Sequence, residues 1–157
     1  MSRSTRATMA LAAAGISFEV VAYDYDPDAD RIGLQAAESL GVSPAIVLKT
    51  LMAEVDGKPV CAVVPSDREV SMKKLAAAFS GKSASMMKPP MAEKVTGYVV
   101  GGISPFGQKK SVPTVVEIAA MAHDRVYINA GQRGLQVLLA PADAAAAAKA
   151  ITAAILA

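Results

Sequence analysis

The chain has 157 residues, a length that fits one domain with a buried core. Apolar residues make up 53% of the sequence and charged residues 19%, which indicates a globular protein and excludes a disordered one. The net charge of +2 does not by itself indicate a nucleic-acid partner, and the single cysteine, Cys61, excludes an internal disulfide. A lone cysteine fits a reducing cytoplasm, and no apolar run approaches the length of a membrane span.

The N-terminal part predicts a helix, a strand and a polar loop. Ser2 or Ser4 is suited to cap a helix that runs to about Ala14. The stretch MALAAAGI follows two arginines, as in a signal peptide, but it is short and rich in alanine, so we interpret it as part of this helix. Residues 16–23 alternate as a half-buried strand does. The acidic loop 23–31 lacks the glycine and the distal glutamate of a calcium loop, so we expect a solvated turn and no metal.

The middle of the chain predicts a hairpin between two helices. Strands are expected at 45–55 and 59–64, joined by the turn Asp56-Gly57. The flanking helices are expected at 34–40 and after the cap residue Ser71.

The C-terminal part predicts short strands and a final helix. The strands are expected at 98–100, 115–118, 126–129 and 136–139, and Pro141 begins an alanine-rich terminal helix. Helices and strands mix without a regular βαβ order, which indicates an α+β domain with a mixed, largely antiparallel sheet flanked by helices.

Lys49 has an unusual place in the strand IVLKTLMAEV. Alternation places it on the same face as Val47, Leu51, Ala53 and Val55, while the other face carries the acids and is expected to meet solvent toward its end. Two interpretations need no function. Either the strand alternation assigned here is shifted by one residue, or the lysine stem is buried while its ammonium reaches water. Alternatively, an ammonium in a dry cleft anchors a phosphate, a carbonyl or a developing oxyanion.

The stretch TGYVVGGISPFGQKKS at 96–111 is rich in glycine but does not fit a phosphate-binding P-loop. Gly102 and Gly107 have the right spacing, but Gln108 intervenes before Lys109. Pro113 and a β-branched run follow, where a P-loop requires a helix.

Two interpretations of this stretch stay open. Its glycines permit a ligand to come close to the backbone, and Lys109-Lys110 adds two cations. Equally, it is a glycine-rich bend with exposed lysines. The turn GQRGL at 131–135 is interpreted as structural, and the distant His123 and Cys61 give no evidence for a triad or a zinc site.

Five stretches together resemble the YbaK/EbsC family of aminoacyl-tRNA deacylases, which is related to the editing domain of bacterial prolyl-tRNA synthetases. They are ISFEVVAYDYDP, VLKTLMAEVDG, MKKLAAAF, TGYVVGGISPFGQKK and VYINAGQRGLQVLLAPAD. The resemblance covers nearly the whole chain. It implies one deacylase domain over residues 1–157 with a partly barrel-like sheet.

The resemblance also implies the residues of the site. The family lysine corresponds to Lys49, which we expect to be catalytic. The substrate-binding residues implied by the family motifs are Tyr23, Thr50, Gly101, Gly102, Ile103, Ser104 and Pro105. The family uses no metal and no cofactor, and it lacks an obvious protein nucleophile.

The implied activity is hydrolysis, in trans, of a mischarged amino acid from tRNA. The expected substrate is Cys-tRNA(Pro), with prolyl-tRNA synthetase as a candidate partner. The resemblance implies that the cysteine thiol attacks its own ester and leaves as a cyclic thiolactone. Two alternatives stay open: a deacylase for another small amino acid such as alanine, and a non-catalytic module that binds the tRNA end or a nucleotide.

Overall fold

The computed structural model describes residues 4–26 and 32–157. Within these residues, eight strands form one mixed sheet, and five α-helices flank it. The strands are β1 (Glu19–Ala22), β2 (Val47–Val55), β3 (Lys58–Pro65), β4 (Ala84–Met86), β5 (Thr114–Glu117), β6 (Val126–Gln132), β7 (Leu135–Leu139) and β8 (Ile151–Ala153). The helices are α1 (Arg6–Ala13), α2 (Ile32–Leu40), α3 (Met72–Ala78), α4 (Pro89–Thr96) and α5 (Pro141–Ala147).

The strand order is β1-β7-β6-β2-β3-β5-β8, and β4 pairs with β2 beside this path. The antiparallel pairs are β1–β7, β6–β7, β2–β3 and β2–β4. The parallel pairs are β2–β6, β3–β5 and β5–β8. The described residues therefore form the predicted α+β fold, with a mixed sheet in which antiparallel pairs are the majority.

β2 has two different partners along one of its edges. β3 follows the opposite edge over the full length of the strand. On the first edge, β6 pairs with Val47 and Leu48, and β4 pairs with residues 53–55. Between them, residues 49–51 have no strand partner on this edge within the described part of the chain. The sheet is open at this point.

Both faces of β2 are buried. Leu48 and Met52 pack into one apolar cluster together with side chains from α1 and α4, while Ala53 and Val55 pack into a second cluster with α3. The face that carries the acids is buried at Leu48 and Met52 and reaches solvent toward its end, as expected, where Glu54 is half-buried and Asp56 is exposed. Helices cover both sides of the sheet, which a one-face alternation does not anticipate.

Local turn and cap chemistry explains several element boundaries. Asp56 and Gly57 form the predicted hairpin turn with φ of 51° and 81°, as a two-residue hairpin loop of this kind requires. The Ser71 side chain accepts a hydrogen bond from Lys74 N at 3.2 Å, which confirms the predicted cap of α3. The first helix is instead capped by Thr5, in a capping box with Thr8.

Three regions differ from the sequence-based expectation. Residues 98–100 form a turn and not a strand, and β4 and α4 were missed. Pro89-Pro90 begins α4, because proline is well accommodated in the first turn of a helix. The alanine-rich terminal helix ends at Ala147, and the chain then forms β8 beside β5. The predicted cap Ser2 and most of the acidic loop lie outside the described residues.

Two further observations concern the described residues as a whole. No helix among them combines the length and the apolar character needed to cross a membrane. No three His, Cys, Asp or Glu side chains in the part of the chain that the structure describes come together as a group able to hold a metal ion.

Candidate active site

The open edge of β2 forms the floor of a pocket of about 310 Å³. Its walls come from β2, the start of α4, the turn at 99–103 after α4 (the glycine turn), and the facing strands β6 and β7. The lining residues include Val47, Leu48, Lys49, Thr50, Leu51, Met52, Met86, Met87, Pro89, Ala92, Val100, Gly101, Ile103, Asn129 and Gln136, together with Tyr23. Most of these side chains are apolar, so the few polar groups determine what the pocket binds.

Five of the predicted site residues share this pocket. They are Tyr23, Lys49, Thr50, Gly101 and Ile103. Three others, Gly102, Ser104 and Pro105, do not line it and are buried behind its wall. The structure thus brings the strand lysine and the glycine turn together, although about fifty residues separate them in the sequence. The roles predicted for all eight stay predictions.

Lys49 places one cation in the wall of this pocket. Its side chain is 22% exposed, and its Nζ lies 3.9 Å from the Glu69 Oε1. The Glu69 side chain is 68% exposed, so this ion pair lies toward solvent and contributes little stability. The lysine stem is therefore largely buried, and its ammonium is within reach of both the pocket and the surface.

Three polar atoms of the pocket wall are buried and have no hydrogen-bond partner among the residues that the structure describes. They are the Tyr23 hydroxyl, the Thr50 Oγ1 and the Gln136 Oε1. A buried polar atom that makes no hydrogen bond costs about 1–3 kcal/mol, so such groups are normally paired. Their position in one pocket indicates that a polar ligand can supply the missing bonds.

Burial also changes the acidity of Tyr23. It raises the pKa of the phenol above its usual value of 10.0, and the Gly134 backbone and the Gln136 side chain offset part of this rise. Gln136 is thus close to the Tyr23 hydroxyl, but the two groups lack hydrogen-bond geometry. Tyr23 is therefore protonated at neutral pH and available as a hydrogen-bond donor.

The glycine turn is held in place by two side chains from β6 and the turn after it. The Asn129 amide donates to Gly101 O at 3.1 Å, and its oxygen accepts from Gly131 N at 2.7 Å. Arg133 Nε donates to Val100 O at 2.9 Å, and the guanidinium lies over the Tyr25 ring at 5.6 Å from its centre. These contacts fix the wall of the pocket opposite β2.

Both central glycines of this turn are required by the local geometry. Gly101 has a φ of +91°, which an L-residue adopts only with strain. Gly102 approaches the neighbouring turn so closely that an added Cβ would lie 2.9 Å from the backbone nitrogen of Arg133. The close approach that the sequence suggested at Gly102 is therefore to the protein's own backbone.

The remaining residues of the stretch stabilise the turn from behind. Ser104 is fully buried, and its hydroxyl accepts a hydrogen bond from Phe106 N at 3.2 Å. Tyr98 OH donates to Phe106 O, and Gln108 Nε2 donates to Ser104 O at 3.0 Å. Lys109 and Lys110 are exposed and do not line the pocket.

Cys61 is not placed to act as a nucleophile. Its side chain is fully buried in the core, and burial raises the pKa of the thiol to about 12. A thiol attacks as its thiolate, so this group is unreactive near neutral pH.

Sequence reasoning missed three residues of the site, namely Asn129, Gln136 and Arg133. Gln136 and Asn129 lie on neighbouring strands as directly paired residues, and Arg133 lies in the turn between them. The glycine-arginine turn at 131–135 is visible in the sequence, but nothing local in the sequence shows that this hairpin packs against the glycine turn after α4.

The described residues thus form an α+β domain in which a half-buried lysine and a tightly held glycine turn line one pocket. Residues 26–147 match the family model described as an aminoacyl-tRNA editing domain. This match covers well over half of the chain, which therefore belongs to the aminoacyl-tRNA editing domain family. Editing removes the amino acid by hydrolysing its ester, so the protein is an aminoacyl-tRNA deacylase by family.

Curated relatives agree with this assignment. An Enterococcus faecalis protein named "Putative Cys-tRNA(Pro)/Cys-tRNA(Cys) deacylase EbsC" is 38% identical over 122 residues, which are 76% of this chain and 74% of that protein. The "Multifunctional Ser/Thr-tRNA deacylase ProXp-y" of Escherichia coli K12 is 26% identical over 134 residues, 82% of this chain and 78% of that protein. The resemblance to the YbaK/EbsC family is confirmed.

A solved structure shares the whole fold. It is the "Crystal structure of a putative trans-editing enzyme for prolyl tRNA synthetase", with a TM-score of 0.85 and 20% sequence identity, covering 99% of both chains. At this identity the likeness concerns the fold.

Proposed function

We propose that the protein deacylates mischarged Cys-tRNA(Pro) in trans, with Lys49 as its catalytic residue. The observation that carries the proposal is the pocket at the open edge of β2, where one cation and three unpartnered polar atoms meet the glycine turn. The choice of cysteine and of proline tRNA is supported by the name of the E. faecalis relative. Prolyl-tRNA synthetase is the proposed partner, and the cytoplasm, where tRNA is charged, is the proposed location.

The proposed chemistry uses the substrate's own thiol and neither a metal nor a protein nucleophile. The cysteine sulfur bonds to the ester carbonyl carbon, and the bond from that carbon to the ribose oxygen breaks. The thiol proton passes to the departing ribose oxygen, so the products are free tRNA and a cyclic thiolactone that water then opens. The protein's work is to hold the ester in a reactive geometry and to stabilise the charge that develops on it.

Each polar group of the pocket has a proposed part in this reaction. The Lys49 ammonium stabilises negative charge at the carbonyl or at the terminal ribose and its phosphate. The polar atoms of the aminoacyl group form hydrogen bonds with Tyr23, Thr50 and Gln136, whose own polar atoms are otherwise without a partner in the described residues. Gly101 and Ile103 shape the opposite wall. Gly102, Ser104 and Pro105 contribute to binding by fixing this wall, since they lie behind it.

A deacylase for a different small amino acid is the second candidate. The E. coli relative favours it, because that protein matches most of this chain and its name gives serine and threonine as the amino acids removed. A pocket distinguishes one methylene by only about 1–3 kcal/mol, so alanine, serine and cysteine differ little by size alone.

A panel of substrates on one tRNA tests the proposal. Cys-, Ser- and Ala-tRNA(Pro) are incubated with the purified protein, and the loss of each ester is compared with its loss in buffer. The proposal predicts fast loss of the cysteinyl ester and a much slower loss of the seryl ester, because a hydroxyl is a weaker nucleophile than a thiol. Equal rates for cysteine and serine would exclude the substrate-assisted step. Retention of tRNA without loss of any ester would favour the non-catalytic binding module.

A further inference from the structure

Four exposed apolar side chains belong to the pocket wall or directly adjoin a wall residue along the chain. They are Met86 at the end of β4, Met91 in α4, and Val99 and Val100 in the turn after α4. These residues are 50%, 45%, 51% and 42% exposed, respectively. Met86 and Val100 also line the pocket, and α4 supplies two further residues of its wall. We call these four residues the α4 rim.

The α4 rim is flanked by positive charge. Lys88 immediately precedes α4 and Lys94 lies in its last turn, and both are exposed. The one acid of α4, Glu93, accepts a hydrogen bond from Val100 N at 2.8 Å and is thereby turned toward the glycine turn. The outer surface of the helix therefore presents apolar side chains between two lysines.

The chemistry of an aminoacyl ester determines what must cross this surface. The ester is bonded to the ribose of the last nucleotide of the tRNA. When the aminoacyl group lies in the pocket beside Lys49, the terminal base and the nucleotides before it leave through the mouth of the pocket. Unpaired nucleotides expose apolar base faces and charged phosphates, which are the two features that the α4 rim and its lysines complement.

We infer that the α4 rim is the docking surface for the unpaired 3′-terminal nucleotides of the tRNA. This inference rests on the proposed function and adds to it. Met91 and Val99 pack against base faces, and methionine is suited to this because it is flexible and makes favourable contacts with aromatic rings. Lys88 and Lys94 bind the phosphates between these bases.

Kinetics of a double variant tests the apolar part. Met91→Ser combined with Val99→Ser leaves the pocket lining intact, since neither residue contributes to it. We expect the KM for Cys-tRNA(Pro) to rise by about five-fold or more, with kcat within about two-fold. The matched control is Ile118→Ser, which removes an equally exposed apolar side chain (52%) outside the rim and leaves both constants unchanged.

Salt dependence tests the charged part. In Lys88→Ala and in Lys94→Ala, the slope of log(kcat/KM) against log salt concentration becomes shallower by about 0.7, the value for one phosphate contact on a single strand. Lys73→Ala, which removes an exposed lysine on α3, keeps the wild-type slope.

A binding experiment tests the inference without catalysis. An uncharged acceptor-stem hairpin ending in unpaired CCA is added to protein with 13C-labelled methionine methyl groups. We expect the methyl signals of Met86 and Met91 to shift and that of Met72 on α3 to stay in place.

Shifts without any deacylation would contradict the proposed function and leave the docking surface standing. An unchanged KM in the double variant, or no shift at either rim methionine, would overturn the inference that the α4 rim binds the tRNA end. Loss of prolyl-tRNA synthetase binding with an unchanged KM would assign the rim to a protein partner instead.

Discussion

The side-chain amide of Asn129 donates a hydrogen bond of 3.1 Å to the carbonyl of Gly101. Asn129 belongs to β6, and Gly101 to the turn after α4, so this contact connects the sheet to the wall of the pocket opposite Lys49. The same side chain accepts hydrogen bonds from Gly131 N and Gln132 N, at 2.7 and 3.2 Å. One buried amide thus fixes two turns relative to each other.

Replacing Asn129 by aspartate is expected to release the glycine turn. A carboxylate accepts from the two N–H groups but has no proton to donate to Gly101 O, which then faces a negative charge. We expect the free energy of unfolding to fall by about 1–3 kcal/mol and kcat/KM to fall by about ten-fold or more. Urea denaturation and deacylation, measured at a temperature where both proteins are folded, check this. An unchanged kcat/KM would show that the position of the turn does not matter to the reaction.

Thr50→Val is expected to lower activity without lowering stability. The Thr50 hydroxyl is buried and has no hydrogen-bond partner in the described part of the chain, so an isosteric valine removes a polar atom that costs free energy in the absence of ligand. We expect the free energy of unfolding to stay constant or to rise, and kcat/KM for Cys-tRNA(Pro) to fall by about ten-fold.

The matched control for this substitution is Thr114→Val. The Thr114 hydroxyl is also buried, but it donates to Val112 O at 3.0 Å and lies outside the pocket. Its removal is expected to destabilise the protein by about 1 kcal/mol and to leave kcat/KM unchanged. If Thr50→Val behaves like this control, the hydroxyl of Thr50 does not contact the substrate.

Alanine substitutions at Gly101 and Gly15 separate the effect of backbone strain from the effect of a side chain placed in the pocket wall. Gly15 and Gly101 both have positive φ, of +73° and +91°, but a Cβ at Gly15 meets nothing within 4 Å. We expect each alanine variant to lose about 1–2 kcal/mol of stability from backbone strain. Only Gly101→Ala is expected to lower activity as well, because its Cβ would lie 3.1 Å from Tyr25 OH and 3.3 Å from Arg133 Nε. Equal activity of the two variants would contradict a role of Gly101 in the wall of the pocket.

Alkaline pH is expected to destabilise the protein through Cys61 and Tyr98. Burial raises the pKa of the Cys61 thiol from 9.0 to about 12, and that of the Tyr98 hydroxyl from 10.0 to about 12. Above its ordinary pKa each group loses its proton in the unfolded chain but keeps it in the folded one, so the unfolded state binds fewer protons. Stability is therefore unaffected below about pH 9 and falls as the pH rises toward 12.

Denaturation of wild type and of Cys61→Ala across this pH range checks the assignment. The variant is expected to begin its loss of stability nearer pH 10, where Tyr98 starts to contribute. It is also expected to keep its deacylase activity at neutral pH, because the thiol is buried and protonated there. Loss of activity in a folded Cys61→Ala variant would indicate a role that its burial does not suggest.

The fold was largely predictable where local chemistry determines structure. The Asp56-Gly57 hairpin and the Ser71 cap both follow from what those residues do in any chain. The strands that the sequence does not predict are those whose formation depends on a partner strand far away in the chain. β8 follows an alanine-rich helix and forms because it can pair with the free edge of β5. In the same way, β4 forms by pairing with β2.

The site was predictable in part for the same reason. Lys49 is predictable as a site residue because a lysine among alternating apolar residues is unusual, and the glycine turn is predictable from its composition. That the two share a pocket depends on β4 and β6 pairing with opposite ends of one edge of β2 and leaving its middle open. Asn129 and Gln136 are brought to the pocket by the order of strands, which no local pattern encodes.

The proposed function and its site are tested together by the rate of ester loss from Cys-tRNA(Pro) with wild-type protein and with Lys49→Ala. Correctly charged Pro-tRNA(Pro) and the variant Lys73→Ala serve as controls. We expect the wild type to remove cysteine much faster than buffer does and to spare proline, and Lys49→Ala to lose at least about 100-fold of this activity while remaining folded. Cysteinyl-ester loss no faster than in buffer would contradict the proposed function, and full activity in Lys49→Ala would contradict the site.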